Sequence, residues 1–311
     1  MAIARQVIQT VRGRIDPGEL GFALPHEHVM CDFIGAAETG QHRWEREDVV
    51  EVMRPYLERI CELGVRGFVD CSPAFIARDP LVLRQLSELT GLHIITNAGL
   101  YKEPFLPAYA FDESADELAA RWIAEFEEGI GDTGVKAGFI KIAVNPGRLI
   151  PVQRKIVRAA ARTQLATGAI IASHTVSGVA ALEQLDILEE EGVALDRFVY
   201  VHADEEPEMA HHFAVAERGA WVEYDQLKEE EEERHLRLVV EMVDAGYADQ
   251  LMISHDAGWY QVGEERGGEG RDYEYIPEMF LGKMRAVGLD EEVVCRLTVE
   301  NPARAFAMPG V

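Results

Sequence analysis

Eight short apolar runs alternate with segments of helical periodicity along almost the whole chain. The runs are residues 20–24, 65–70, 93–97, 137–142, 169–174, 197–202, 220–224 and 250–256. Helical spacing of apolar residues lies between several of them, at residues 48–63, 115–129, 152–167 and 229–245. A glycine also stands where six helices are expected to end, namely Gly64, Gly91, Gly168, Gly192, Gly219 and Gly246.

Strand–helix alternation of this kind predicts parallel strands joined by crossover helices. Eight units with no break in composition favour a (β/α)8 TIM barrel, an α/β fold, formed by one domain over residues 1–311. Residues 7–11 are strand-like, and a turn at residues 16–18 would lead the chain into the first run. We therefore expect an N-terminal β-hairpin ahead of the barrel.

The charge and the cysteines exclude several functions. The formal net charge is -25, which repels phosphate backbones and anionic lipid surfaces, so we expect no nucleic-acid or membrane partner. Residues 1–14 lack the apolar core of a signal peptide, and no apolar run approaches membrane-spanning length. Widely spaced cysteines predict free thiols in a reducing, cytoplasmic compartment; they are Cys31, Cys61, Cys71 and Cys295.

Two histidines follow the first apolar run. His26 and His28 share one face of an extended strand, and Glu27 points to the opposite face. Neutral imidazoles are common ligands of zinc-like ions. For an isolated His-x-His, two hydrogen-bonded histidines near a strand end are an equally good explanation.

Further polar residues at other strand ends decide between these explanations. His174, His202 and Asp256 each end an apolar run, where an unpartnered polar group would be costly. Because active sites of TIM barrels lie at the C-terminal ends of the strands, these groups should converge with His26 and His28 on one rim. Four histidines and a carboxylate exceed what one catalytic zinc ion takes from a protein, so we predict two metal ions.

Lys141 is an unexpected member of this set, since it lies in the fourth run. An ammonium group beside two divalent cations would be strongly repelled, so the side chain must be neutral, modified or directed elsewhere. An ion pair with a buried carboxylate such as Asp256 is the alternative explanation.

Six motifs contain these residues and end near the C-terminus: Leu24-Pro25-His26-Glu27-His28, Phe139-Ile140-Lys141, Ser173-His174-Thr175, His202, Ser254-His255-Asp256 and Thr298-Val299-Glu300-Asn301-Pro302-Ala303-Arg304. In order and over essentially the whole chain, they resemble the motifs of the phosphotriesterase family of the amidohydrolase superfamily, which includes the phosphotriesterase-like lactonases.

The resemblance implies a TIM barrel with a binuclear metal centre, in a homodimer. It assigns the more buried ion to His26, His28 and Asp256 and the more exposed ion to His174 and His202. Lys141 would be carbamylated (N6-carboxylated) and would bridge the ions together with a hydroxide. Zinc is the first choice of metal, and Mn, Co and Fe remain open.

A mechanism follows from general chemistry. The bridging hydroxide would attack the substrate, while the more exposed ion polarises its C=O or P=O bond. Asp256 would accept the proton of the nucleophile and deliver it to the leaving group. Tyr101 falls where lactonase members carry a tyrosine near the exposed metal, so its hydroxyl is expected to contact the substrate; packing at the strand end is the alternative.

Two positions depart from the phosphotriesterase pattern. Glu205 stands where organophosphate-hydrolysing members have an aspartate, and Gln226 stands where they have a histidine and acyl-homoserine lactonases an arginine. The usual His–Asp proton relay is therefore absent. This difference disfavours efficient hydrolysis of paraoxon and leaves Gln226 as a predicted substrate contact.

The long segment at residues 257–277 is expected to set specificity, because loops of this length are usually functional. Trp259 and Tyr260 would form an apolar wall for an acyl chain, whereas Arg271, like Arg266, would contact a polar or anionic group. An oligomer contact is the alternative for this loop.

The remaining histidines are assigned away from the rim. His255 is expected to pack behind its strand, and His93 lies at the wrong end of its strand. Four others are interpreted as surface residues: His42, His211, His212 and His235.

We predict a metal-dependent hydrolase acting on small-molecule lactones or esters, with a lactonase favoured and side activity toward phosphotriesters. A dedicated aryldialkylphosphatase is the first alternative, and comparable turnover of paraoxon would favour it. A barrel that binds a ligand without catalysis is the second, and persistent inactivity of the metal-replete protein would favour it.

Overall fold

A ring of parallel strands forms the centre of the protein. The computed structural model describes residues 5–310. The strands are β1 Gln6–Thr10, β2 Gly13–Ile15, β3 Ala23–Cys31, β4 Gly67–Asp70, β5 His93–Ile95, β6 Asn97–Ala98, β7 Phe139–Ala143, β8 Ile171–His174, β9 Phe198–Val201, β10 Trp221–Tyr224, β11 Leu251–Ile253, β12 Gly258–Gln261 and β13 Met308–Pro309.

The strand order confirms the predicted TIM barrel. Parallel pairing joins β3, β4 and β5, and it joins β6 to β11 in sequence order. Strands β5 and β6 are the two parts of one predicted strand, interrupted at Thr96. Backbone hydrogen bonds from Asp256 N to His26 O (3.1 Å) and from His28 N to Ala257 O (3.0 Å) connect the chain after β11 to β3 and close the ring.

Helices follow the barrel strands and cover the outside of the ring. They are α1 Arg46–Glu62, α2 Pro80–Thr90, α3 Tyr109–Asp112, α4 Ala115–Glu127, α5 Pro151–Thr167, α6 Gly178–Glu191, α7 Met209–Glu217, α8 Glu232–Asp244, α9 Leu281–Ala286, α10 Glu291–Cys295 and α11 Asn301–Ala305. π-Helical segments, Ile276–Phe280 and Arg296–Glu300, precede α9 and α11. The six glycines expected at helix ends all have positive φ there. Within the described residues, none of the helices is long and apolar enough to cross a bilayer.

The N-terminal hairpin is present, but its turn lies earlier than predicted. Strands β1 and β2 pair antiparallel with Thr10 opposite Gly13, so the turn falls at Val11 and Arg12. The expected turn region forms the 3-10 helix Pro17–Glu19 instead. A hydrogen bond from Val11 N to Ile94 O (2.9 Å) attaches the hairpin to strand β5 of the barrel.

Strand β3 continues through the His-x-His motif, whereas the sequence predicted that the strand ends there. All nine residues of β3 are buried. Its second half pairs with β12, with Gly258 opposite His28 and Tyr260 opposite Met30. The segment predicted as a long loop at residues 257–277 therefore begins with a strand that extends the barrel wall.

Apolar side chains fill the barrel interior toward the N-terminal ends of the strands, and a layer of polar side chains lies next to them toward the C-terminal ends. Phe139 and Ala172 belong to this inner cluster, and Lys141 and His174 lie two residues farther along the same strands. Residues two apart in a strand share a face, so the chemistry-bearing side chains point into the ring above a dry floor. Burial of each large apolar side chain contributes about 1.5–3 kcal/mol to the stability of this floor.

Candidate metal centre

Four imidazoles lie side by side at the C-terminal end of the barrel. The ring centroids are 5.5 Å apart for His26 and His28, 4.9 Å for His26 and His202, and 4.3 Å for His202 and His174. Asp256 lies beside the first pair, with Oδ1 3.6 Å from His26 Nε2 and 3.0 Å from His28 Nε2. The fold thus brings together the histidines and the carboxylate that the sequence placed on one rim.

Each of three imidazoles has a polar partner at Nδ1, which leaves Nε2 for another ligand. His28 Nδ1 lies 2.8 Å from Ser72 Oγ, and this hydroxyl donates to Met30 O, so it accepts from the imidazole. His26 Nδ1 lies 3.2 Å from Glu223 Oε2, and His202 Nδ1 lies 2.5 Å from Asp225 Oδ1. An acceptor at Nδ1 fixes the tautomer that offers the Nε2 lone pair to a metal ion.

Burial keeps three of the four imidazoles neutral. Desolvation lowers the pKa of His26 and of His174 well below the usual value, and it lowers the pKa of His202 to about 4. His28 differs, because acidic neighbours, Cys31 first, raise its pKa against the opposing effect of burial. Neutral imidazole is the form that binds a metal ion.

Two overlapping groups of side chains have ligand atoms close enough to share a metal ion. His26, His28 and Asp256 form one group, and His26, His202 and Asp225 form the other; within each group the ligand atoms lie within 4.8 Å of one another. All of these side chains are buried. The donor set of imidazole nitrogens and carboxylate oxygens fits divalent ions of the zinc type.

Lys141 lies on the same inner face, and its surroundings are unusual. The side chain is 2% exposed, and Nζ has no hydrogen-bond partner among the described residues. A buried, unpaired ammonium group is strongly disfavoured. Gly99 permits the close packing beside it, since a Cβ atom there would lie 1.9 Å from Lys141 O. This orphaned nitrogen fits a lysine whose positive charge is removed by modification; within residues 5–310 Lys141 forms no ion pair with Asp256, the alternative explanation.

Asp256 is held in a strained backbone conformation. Its φ is 53°, in the left-handed region that non-glycine residues rarely occupy. Gln226 Nε2 donates to Asp256 Oδ2 at 2.7 Å, while Oδ1 faces the two histidines of β3 and accepts no hydrogen bond from the described residues. The predicted contact residue Gln226 therefore orients the carboxylate.

Two buried carboxylates that support the histidines escaped the sequence analysis. Glu223 and Asp225 lie in and just after β10, two residues apart on one face. Asp225 accepts from His202 N at 2.9 Å in addition to the contact with its ring. Burial is the main cause of the raised pKa of both carboxyl groups. The sequence did contain a signal for them: two acidic residues stand at i and i+2 in an otherwise apolar run, the same spacing as His26 and His28.

The outer edge of the site carries the predicted Tyr101 and also Lys102, which was not predicted. Tyr101 Oη lies 3.3 Å from His174 Nδ1, and Lys102 Nζ lies 2.5 Å from His174 Nε2. Burial raises the pKa of the Tyr101 hydroxyl, which stays protonated, and lowers the pKa of Lys102 to about 8. This edge therefore offers a hydroxyl donor and an amine beside His174.

Aromatic rings surround the mouth of the site. The ring of Phe33 lies 5.7 Å from Trp259, 6.1 Å from Tyr101 and 5.3 Å from Phe105, and Trp259 lies 5.4 Å from His28. Phe33 is 42% exposed, so the cluster presents an apolar surface to solvent. Trp259 was predicted for this wall, whereas Phe33 and Phe105 come from loops without a sequence signal.

Two other predicted substrate contacts lie elsewhere. Tyr260 alternates away from Trp259 and packs in the core near Asp48 on α1, so its predicted place in the substrate wall is wrong. Arg271 donates to the backbone oxygens of Asp256 and His255, both at 3.3 Å, and so supports the site from behind.

The histidines outside the rim divide into two groups. His42 is exposed and His255 is buried behind β11, where it contacts Glu27 at 2.7 Å, as expected. His212 and His235 were predicted to be surface residues and are fully buried. The helix face that each occupies explains the error: His212 contacts Tyr224 Oη at 2.7 Å, and His235 faces a buried carboxylate across the barrel wall.

The chain is similar in sequence and in structure to known proteins. Residues 6–306 match the profile of the phosphotriesterase family. The phosphotriesterase homology protein of Escherichia coli K12 is 27% identical over 291 residues, 92% of this chain and 98% of that protein. A lactonase from Listeria monocytogenes superposes with a TM-score of 0.85 at 27% identity, over 98% of this chain and 100% of that one. A mutant of an organophosphorus hydrolase from Deinococcus radiodurans superposes with a TM-score of 0.88 at 28% identity, over 97% and 98%.

Proposed function

This chain belongs to the phosphotriesterase family, a group of hydrolases, and we propose that it is a binuclear metal-dependent lactonase with side activity toward phosphotriesters. One observation carries the proposal: four imidazoles and Asp256 converge at the barrel end where Lys141 is buried, and its Nζ has no hydrogen-bond partner among the described residues. A barrel without chemistry has no need for such a costly arrangement of buried polar groups.

The buried side chains would hold two divalent ions, with zinc the first choice and Mn, Co or Fe as alternatives. When bound, such ions polarise the substrate carbonyl and lower the pKa of a water molecule toward neutrality. His26, His28 and Asp256 would hold one ion, and His174 and His202 the other.

Lys141 would bridge these ions after carboxylation. Its neutral amine forms an N–C bond with CO2, one electron pair of a C=O bond moves to oxygen, and one proton is released. The product is an anion in place of an unpaired amine, which fits a site where Nζ has no partner among the described side chains.

Asp256 is suited to carry the proton. Gln226 occupies one carboxylate oxygen, and the other lies 3.0 Å from His28 Nε2 and accepts no hydrogen bond within residues 5–310. Ring opening of a lactone breaks the C–O bond and leaves an alkoxide, which must receive a proton. Asp256 would take that proton from the attacking water and return it to the alkoxide.

Tyr101 and the aromatic residues are suited to orient a lactone. The protonated Tyr101 hydroxyl can donate to a substrate oxygen beside His174, at the exposed side of the site. Phe33, Phe105 and Trp259 offer an apolar surface for an acyl chain. Gln226 has no titratable group, which removes the His–Asp relay of efficient phosphotriesterases and favours the lactone over paraoxon.

A substrate panel with metal-replete enzyme tests the proposal. We expect kcat/KM for the best γ- or δ-lactone to exceed that for paraoxon by about tenfold or more, which is about 1.4 kcal/mol in transition-state binding. Equal or better turnover of paraoxon would make the protein a dedicated phosphotriesterase. Inactivity of metal-loaded protein toward lactones, esters and phosphotriesters would contradict both.

Lys141→Met tests the bridge itself. Removal of the amine should lower the metal content below that of the wild type and reduce lactone hydrolysis about 100-fold or more, because the two ions lose their shared anion. Lys283→Met, at an exposed lysine of α9 that pairs with Glu232, is the matched control and should behave as the wild type. Unchanged metal content and activity in Lys141→Met would exclude the bridging role.

A further inference from the structure

A cleft of about 570 Å³ opens at the N-terminal end of the barrel, opposite the candidate metal centre. Three separate segments form it: the β1–β2 hairpin, helix α2 and the chain just before β7. Its charged lining consists of four basic residues and one acidic residue, Arg12, Arg14, Arg84, Lys136 and Glu88. The basic residues are far apart in sequence, so the fold alone collects their charges.

Two of the guanidinium groups are held in place by backbone oxygens. Arg12 Nη2 donates to Gly91 O at 3.2 Å and to Leu92 O at 3.4 Å, at the end of α2. Arg84 Nη1 donates to Thr133 O at 3.2 Å. Each guanidinium has five N–H donors, so these contacts orient the groups and leave donors for a ligand.

The charges of three basic residues are not neutralised locally. Within residues 5–310, Arg12, Arg84 and Lys136 form no ion pair with a carboxylate, and Glu88 pairs with none of them although it lies one helical turn from Arg84. Elsewhere in the same range, arginines of the surface commonly contact carboxylates, as Arg54 does with Glu58. The cleft therefore keeps a local positive charge in a chain whose net charge is -25.

Such a local reversal of charge has a physical consequence. The protein as a whole repels anions, whereas a concave site lined by several cations concentrates them. Guanidinium groups match the tetrahedral oxygens of phosphate through paired N–H donors. The volume is sufficient for a small organic molecule, since ligand pockets usually span about 300–1,000 Å³.

We propose that this cleft binds a small polyanion, a molecule that carries at least two phosphate-type groups. Arg12 and Arg84 contact one anionic group from the side of α2, and Lys136 contacts the other from the edge of β7. The site is separate from the candidate metal centre, because the apolar floor of the barrel lies between them.

Isothermal titration calorimetry of the metal-replete protein with ethane-1,2-disulfonate tests the proposal. This probe carries two tetrahedral anions and is a poor metal ligand, so its binding reports on the cleft. We expect one site per chain in the wild type, and binding roughly tenfold weaker or more in R84Q/K136Q, because charge-assisted hydrogen bonds are lost. The R54Q/R237Q variant removes two charges from helices that do not line the cleft and should bind as the wild type does.

Circular dichroism and lactone turnover of each variant confirm folding, and both should be unchanged in R84Q/K136Q. A wild-type protein that gives no saturable heat in the millimolar range would overturn the proposal. Equal binding by the wild type and R84Q/K136Q would also overturn it, since the anion would then occupy another place. A wild type that binds the probe but hydrolyses no substrate would sustain the polyanion site and reject only the lactonase.

Discussion

The inner half and the outer edge of the metal centre are built in opposite ways. In the inner half, His26 and His28 sit on a strand that is buried throughout, and Asp256 is fixed by Gln226. At the outer edge, the contacts of His174 come from Tyr101 and Lys102, which follow β6 in a loop. A rigid half can hold reacting groups in place, whereas a loop-built edge can adapt to different substrates.

From this contrast we expect the inner half to carry the chemistry and the outer edge to select the substrate. His26 and His28 have acceptors at Nδ1, provided by Glu223 and Ser72, and Asp225 supports the inner half through His26 Nδ1 at 3.4 Å while it also accepts from the neighbouring His202. The outer edge is completed by Phe33, which is 42% exposed. Substitutions in the inner half should therefore lower kcat, and substitutions at the edge should change KM for particular substrates.

The largest effect is expected at Asp256, the proposed proton carrier. Asp256→Asn keeps the shape and one oxygen but removes the basic group, so kcat for a lactone should fall about 10²–10⁴-fold. KM should change little, because the proposed contacts of the acyl chain are with the aromatic residues at the mouth. Steady-state kinetics on protein of matched metal content provide the measurement, and Asp272→Asn on the exposed segment nearby is the control. A fall that tracks lost metal alone would reduce Asp256 to a ligand.

A smaller effect is expected at Asp225, which supports the inner half without touching the substrate. The carboxylate accepts from both the backbone N and the Nδ1 of His202, and it lies 3.4 Å from His26 Nδ1. Asp225→Asn leaves one acceptor oxygen for these donors. We expect a loss of about 10–100-fold in metal affinity or activity.

Competition with a chelator measures the metal affinity of Asp225→Asn, and kinetics at saturating metal measure the remaining activity. Asp249→Asn, at a surface carboxylate that pairs with Arg296, is the matched control. If Asp225→Asn binds metal as tightly as the wild type and retains full activity, the inner half does not depend on this carboxylate and the contrast with the outer edge weakens.

The sequence predicted the inner half better than the outer edge for a physical reason. Strand periodicity places residues two apart on one face, so His26 and His28 could be assigned to the same face before the fold was known, and Lys141 was assigned to the rim through its strand. Glu223 and Asp225 obey the same rule, but their partners follow only from the order of strands around the ring. Phe33 and Lys102 lie in loops, whose conformation depends on tertiary contacts that no local pattern encodes.

The predictions that were wrong also concern features that depend on contacts between distant parts of the chain. Strand β3 extends past the histidines because β12, more than 200 residues later, supplies its neighbour. The same pairing turns Tyr260 into the core and leaves Trp259 at the site. His212 was misplaced because a single helical step separates it from the half-buried His211, and periodicity in the short helix α7 does not resolve the faces.

The smallest expected effect sharpens the assignment of the outer edge. Phe33 contacts Trp259 and Phe105 at the mouth, and within residues 5–310 no ring contact joins it to His26, His28 or His202. Phe33→Ala should raise KM for a long-chain lactone roughly fivefold, which corresponds to about 1 kcal/mol of lost apolar contact, and leave kcat unchanged. A lactone without a side chain should show no change, because it does not reach the aromatic surface. Phe111→Ala, at a phenylalanine of similar exposure on α3, is the control. An equal rise in KM for both lactones, or a fall in kcat, would mean that Phe33 acts like the inner half of the site. The proposed difference in role between the inner half and the outer edge would then be rejected.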